Sequence, residues 1–282
     1  MEFLHASFAL AFTAALVADG LSPNSINTYL RHIRCALSWV RKKEYIATCL
    51  RVDSEKRINR TRCGIIKPED ERKLMEAAKV VQPLDSPAWQ RFINGLLLTG
   101  LRIGEALQLS WDEDAGIYLD MTDIPAVFRF AAETPKNGQE TEAPMLDESE
   151  NFFARTPVDS RHGWVFDLRS RSTCRGNASR DDASKVLSKI GKAAGVITKG
   201  NSGKNFSARD CRATFATRLA NRGVDPYDGM QLMRHSQIQT TLTYYVRKQA
   251  KGVRDRIDRQ RSKSERFVSA EGFEPLAEKM RQ

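Results

Sequence analysis

The chain has 282 residues, enough for one large domain or two modest ones, with 41% hydrophobic and 28% charged residues as in a soluble globular protein. Lys and Arg number 45 against 35 Asp and Glu, a formal charge of +10 that points to nucleic acid or an anionic membrane surface without choosing between them. Five scattered cysteines with no CxxC pair, and no histidine pair at ligand spacing, suggest neither a disulfide framework nor a zinc site, and they fit a reducing compartment such as the cytoplasm.

The first apolar run, Phe8 to Ala18, ends in Ala-Leu-Val-Ala like a secretory signal. The residues before it carry Glu2 and no Lys or Arg, and Leu4, Phe8, Phe12 and Leu16 recur every four positions. That pattern favours one stripe of an amphipathic helix ending near Asp19-Gly20. The run is too short to span a bilayer, and no membrane partner is expected.

A second helix starts at Ser22-Pro23, a capping residue followed by the proline favoured at the first helical position. Its apolar stripe is Ile26, Leu30, Ile33, Leu37 and Val40, and another face carries Arg31, Arg34, Arg41 and Lys42. Such a face is either solvated surface or a contact for phosphates. From about Cys49 to Lys67 periodicity fades while Arg51, Lys56, Arg57, Arg60, Arg62 and Lys67 crowd in, which reads as an extended charged linker.

A helix begins near Lys67-Pro68-Glu69-Asp70, another spans Trp89 to Thr99 and stops at Gly100, and a third follows from Arg102 to Leu109. Short strands are expected at Gly116 to Met121, Ala126 to Ala132 and Glu142 to Leu146, with Asn137-Gly138 as a hairpin turn. From Ala183 the pattern is helical again, broken at Gly200 to Gly203 and at Gly223. The fold class expected is mainly α, with a small helical domain followed by a larger one that holds a small antiparallel β-sheet.

Three segments carry chemistry. In Thr99-Gly100-Leu101-Arg102-Ile103-Gly104-Glu105-Ala106-Leu107 an arginine follows a glycine break, with Glu105 one helical turn on and placed to hold it. In Ala208-Arg209-Asp210-Cys211-Arg212-Ala213-Thr214-Phe215-Ala216-Thr217 two arginines share a helix face, and their charges repel unless an anion lies between them. Leu232-Met233-Arg234-His235-Ser236 and Thr240-Thr241-Leu242-Thr243-Tyr244 complete the set.

From about Phe8 to Tyr245, and most strongly in these segments, the chain resembles the tyrosine recombinase, or phage integrase, family. The spacings fit it: 235 − 212 = 23 residues from the second arginine to the histidine, and 244 − 235 = 9 from there to the tyrosine. The resemblance implies a site-specific DNA recombinase made of an N-terminal core-binding, SAM-like DNA-binding domain (1–50), a basic linker (51–67), a catalytic domain (68–265) and a tail helix (266–282). Its partners would be double-stranded DNA, a homotetramer on two DNA sites and accessory DNA-bending proteins, with no cofactor and no metal.

The roles implied are specific. Arg102 and Arg212 would grip the non-bridging oxygens of one phosphate with planar forks, more strongly as charge grows in the transition state. His235 would donate a further hydrogen bond. Tyr244 would attack phosphorus, leaving a 3′-phosphotyrosyl bond and a 5′ hydroxyl; the covalent link stores the bond energy, so rejoining needs no ATP. Lys136 would protonate the leaving oxygen, with Lys204 as rival. The basic face of the second helix and Arg60 would become phosphate contacts. With a tyrosine pKa of about 10, making the phenolate at pH 7 costs roughly 4 kcal/mol, which a positive field or a base must offset.

Two positions depart from the family pattern. Arg209 stands where a histidine is usual, and an arginine cannot accept a proton, so Arg209 would act by field and phosphate contact while water or His235 takes the tyrosine proton. Arg234 stands where glycine is favoured before the histidine, and would adjust the turn or reach a phosphate. Tyr245 would pack or bond locally. After Tyr244 comes a basic stretch including Arg247, Lys248, Lys251 and Arg254, and a last segment with Phe273, Leu276 and Met280 would dock on a neighbouring protomer, dock in cis or stay disordered. The alternatives are a type IB topoisomerase-like relaxing enzyme and a catalytically decayed DNA-binding protein.

Overall fold

The computed structural model describes residues 6–46, 52–55, 64–131, 140–168, 177–198 and 205–245. The chain divides into two compact units, Met1–Thr61 and Arg62–Gln282.

In the first unit α1 (Ala6–Ala18) is followed by α2 (Pro23–Lys42). The Ser22 hydroxyl accepts from the Ser25 amide at 3.2 Å, a cap worth about 1 kcal/mol. Ile26, Leu30 and Leu37 are buried, with Ile33 packed beside them, as the stripe predicts. On α1 the stripe is rotated from the expected one: Ala9, Phe12 and Leu16 face the cluster, while Phe8 is 45% exposed. A spacing of four residues precesses by about 40° per step around a helix of 3.6 residues per turn, so Phe8 and Leu16 cannot both face one line. Leu4 lies outside the described residues. Residues 52–55, expected as linker, pack onto α2. Val52 joins its cluster, Asn27 exchanges hydrogen bonds with the Glu55 backbone (2.8 and 2.9 Å), and Arg34 donates to Ser54 at 2.6 Å.

The second unit contains α3 (Pro68–Val81), α4 (Ser86–Thr99), α5 (Ile103–Gln108), β1 (Leu109–Ser110), β2 (Ile117–Asp120), β3 (Val127–Phe130), β4 (Thr141–Pro144), α6 (Asp147–Ala154), a short 3-10 turn (Val158–Ser160), α7 (Arg180–Ala193), α8 (Ala208–Arg222), α9 (Pro226–Leu232) and α10 (Ile238–Tyr245). Its architecture is mainly helical with one four-stranded sheet in the order β1-β2-β3-β4.

The expected antiparallel sheet is mixed. β2, β3 and β4 pair antiparallel, but β1 runs parallel to β2, with Leu109 opposite Ile117. β1 is held on its other side as well, where the Val165 amide donates to the Leu109 carbonyl at 2.9 Å. Two residues show no periodicity, which is why the pattern missed this strand.

α8 is the central helix: Cys211, Ala213, Phe215, Ala216, Leu219 and Ala220 are all buried, and α4 runs beside it. α3 packs on α7. Phe153 of α6, a helix not anticipated, is fully buried among Trp111, Phe128, Phe152 and Phe166 at ring distances of 5.1 to 6.3 Å. It ties the sheet to the helices. Residues 64–66 are likewise not free linker: the Gly64 amide donates to the Asp210 carboxylate (3.1 Å) and the Ile66 amide to the Thr214 hydroxyl (2.9 Å). No helix among the described residues is long and apolar enough to cross a membrane.

Candidate active site

The α4–α5 corner places the first arginine. α4 ends on Gly100 in the left-handed region (φ 64), whose amide donates to Leu96. A Cβ at 100 would lie 2.3 Å from the Phe215 ring, so glycine is required by space as well as by φ. Arg102 then caps α5. The Glu105 carboxylate accepts the Arg102 amide at 2.7 Å, one half of a capping box, and accepts the Arg102 guanidinium at 2.7 Å with its other oxygen. Half of the Arg102 side chain remains exposed.

α8 places the second. Asp210, wholly buried, accepts from the Ser207 amide (2.9 Å) and hydroxyl (2.7 Å), which fixes where the helix begins. From the second turn Arg212 reaches back to donate to the Gly100 carbonyl at 2.6 Å and to the Met233 carbonyl. Burial, then the neighbouring Arg102 charge, pull its pKa down to about 10, so it stays protonated at neutral pH. Arg209, one turn earlier, is exposed and makes no hydrogen bond or ion pair with this group.

The turn after α9 closes the arrangement. Arg102 donates to the Arg234 carbonyl at 3.3 Å across 132 residues of chain. Arg234 itself adopts φ 48, a conformation that costs a non-glycine residue roughly 1–2 kcal/mol. Its guanidinium turns inward, 2.6 Å from the half-buried Glu105 carboxylate and 3.3 Å over the Phe130 ring, because an opposite charge and an aromatic face compete with solvent for it. Burial alone would raise the Glu105 pKa, but the Arg234 charge and the Arg102 hydrogen bonds outweigh it and hold that pKa below the usual value.

His235 follows directly. Its Nδ1 pairs with the Thr241 hydroxyl at 2.9 Å, and Thr241 is fully buried. Burial first, then the charges of Arg212 and Arg102, lower the His235 pKa to about 4, so the ring is neutral at pH 7. It lies nearly parallel to the Tyr244 ring, 13° apart in plane and 6.3 Å between centroids. Tyr244 packs against the cluster of Phe215, Leu219 and Met233. Tyr245 turns elsewhere: its hydroxyl donates to the Asp225 carbonyl at 3.4 Å and lies 2.6 Å from where a Cβ at Gly229 would be.

A model of the phage integrase family matches residues 65–251, the span that holds every residue of this cluster. The chain belongs to the phage integrase family. This integrase-family chain is 26% identical over 255 residues to tyrosine recombinase XerA of Pyrococcus furiosus, covering 89% of itself and 79% of that protein. It is 24% identical over 264 residues to the transposase from transposon Tn916 of Enterococcus faecalis, covering 87% of itself and 64% of the transposase. Its fold matches that of the Tn1549 transposon integrase solved with a circular intermediate DNA, with TM-score 0.62 and 21% identity over 92% of this chain and 86% of the other. A lambda integrase dimer bound to a core site matches with TM-score 0.61 and 16% identity, over 87% and 65%. The chain is thus a tyrosine recombinase, an enzyme of site-specific DNA strand breaking and rejoining, and topoisomerase-like relaxation is not favoured.

Within this recombinase the fold gathers Arg102, Glu105, Arg212, His235 and Tyr244. Lys136, Lys204, Arg60 and the segment after Tyr245 lie outside the described residues. Arg31, Arg41 and Lys42 are exposed on α2 of the first unit, whereas Arg34 is half-buried against Ser54. Three organising residues escaped sequence reasoning. Asp210 carried a signal, since Ser207-Ala208-Arg209-Asp210 has the spacing of a capping box. Thr241 and the Met233 carbonyl carried none, because their partners are set by tertiary structure.

Proposed function

We propose that Tyr244 is the nucleophile of a metal-free phosphoryl transfer in which Arg102 and Arg212 hold the scissile phosphate. The observation that supports this most is the convergence of two arginines, a neutral histidine and a tyrosine from three distant segments on one turn. Each guanidinium carries five N–H donors, so backbone carbonyls can orient it while other donors meet the phosphate oxygens. As the Tyr244 Oη–P bond forms, the P–O5′ bond breaks. The tyrosine proton passes to water or to His235 Nε2, and the leaving 5′ oxygen gains a proton from Lys136, with Lys204 as the alternative donor. Attack of a 5′ hydroxyl on the phosphotyrosine reverses the step and joins strands.

His235 suits two tasks through the hydrogen bond at its Nδ1. If the Thr241 hydroxyl donates, Nε2 carries the proton and donates to a phosphate oxygen; if Nδ1 donates, Nε2 accepts. Arg209 adds positive field at the α8 start. Glu105 supports Arg102. The first unit, with exposed Arg31, Arg41 and Lys42 on α2, serves as a core-binding domain on phosphates, Arg34 contributing less because Ser54 engages it. Arg60 and the linker extend that contact, over the domain limits 1–50, 51–67, 68–265 and 266–282. The enzyme works in the cytoplasm as a homotetramer on two DNA sites, with accessory DNA-bending proteins where the site needs them, in integration, excision or resolution.

Cleavage polarity tests the reading. On a nicked duplex the protein should remain on the 3′ end and expose a 5′ hydroxyl that a polynucleotide kinase can label. Arg212→Ala should lower the cleavage rate by at least about 100-fold, as for loss of an oxyanion donor, while retaining DNA binding. A 5′-linked adduct, or full cleavage by Arg212→Ala, would contradict it.

A further inference from the structure

Among the described residues of the second unit, Arg234 is the non-glycine residue in the left-handed region, at φ 48. The same turn anchors both phosphate-facing arginines. Arg212 donates to the Met233 carbonyl and Arg102 to the Arg234 carbonyl. These carbonyls belong to the two peptide units flanking residue 234, so its φ and ψ set the directions in which they point. A side chain at that conformation brings Cβ against backbone and tends to drive the turn elsewhere.

The Arg234 side chain supplies what holds it. Its Nη2 lies 2.6 Å from a Glu105 oxygen, one flat face covers Phe130 at 3.3 Å, and 14% of it is exposed. Glu105 in turn carries Arg102 on its other oxygen. We infer that Arg234 is a positioning residue: its side chain braces the left-handed 233–235 turn, whose two carbonyls array Arg102 and Arg212, and it does not itself touch DNA. Burial of one guanidinium face on Phe130, with Glu105 at the edge, leaves little of the fork for an incoming phosphate. The inference rests on the reading of this site as a phosphate clamp.

Three variants of the full chain separate a brace from a charge. Arg234→Gly removes the brace and the need for it, since glycine accepts positive φ. Arg234→Ala removes the brace and keeps the steric opposition. Arg234→Lys keeps the charge but loses the planar face and the fork. Covalent adduct formation on a nicked duplex should be at least tenfold faster in Arg234→Gly than in Arg234→Ala, with Arg234→Lys near Ala. The salt slope of DNA binding should match the parent in all three, because no phosphate contact is lost. Arg234→Gly should also melt roughly 2–4 °C above Arg234→Ala.

The parent should melt above Arg234→Ala, and that order reads the brace even where no adduct forms. A parent chain without adduct that still melts above Arg234→Ala contradicts the recombinase reading and leaves the brace standing. Cleavage retained by Lys while Gly and Ala are equally slow, a salt slope reduced by about one, equal rates in all three variants, or Ala melting at or above Gly each overturn the inference.

Discussion

His235 binds its proton weakly because burial, and then the Arg212 and Arg102 charges, oppose the imidazolium. The unfolded chain takes up that proton near pH 6.5, the folded chain only near pH 4. As pH falls through that window the unfolded state binds more protons, so stability declines; above it the group adds no pH dependence. The drop in melting temperature from pH 7 to pH 5 should therefore be smaller in His235→Gln than in the parent, and equal drops would contradict the assignment. At this scale the sequence was legible where spacing is local. Glu105 one turn from Arg102 read correctly as its partner, and the run from Arg209 to Tyr244 drew attention to residues that the fold gathers. The inward turn of Arg234 was not legible, since Glu105 and Phe130 lie far off in the chain and periodicity carries no tertiary pairing.

Elements with caps or prolines could be read from the chain itself. α2 starts behind Ser22-Pro23, α3 behind Lys67-Pro68, and α4 ends on Gly100, each for a reason that needs no neighbour. α6 and β1 could not: eight residues and two residues are too few for a period to declare itself, and packing decides them. α6 nonetheless supplies the ring on which sheet and helices meet. Phe153→Ala should destabilise the second unit by about 3–5 kcal/mol in chemical denaturation, as for a large side chain deleted from a closed core. A loss under about 1 kcal/mol would show that the aromatic cluster collapses around the gap and that α6 is peripheral.

On the scale of the whole molecule, the formal charge of +10 and the family match over residues 65–251 support DNA as the partner. Composition alone had left nucleic acid and an anionic membrane surface open; the three segments, read together, chose. The most direct measurement is covalent trapping on nicked duplexes, including DNA that flanks the gene, resolved under denaturing conditions. The parent and Tyr245→Phe should give a protein–DNA band, whereas Tyr244→Phe should give none while still binding DNA with steep salt dependence. A band that survives in Tyr244→Phe would move the nucleophile elsewhere, and tight binding by the parent without any band would mark a chain that keeps the fold and has lost the reaction.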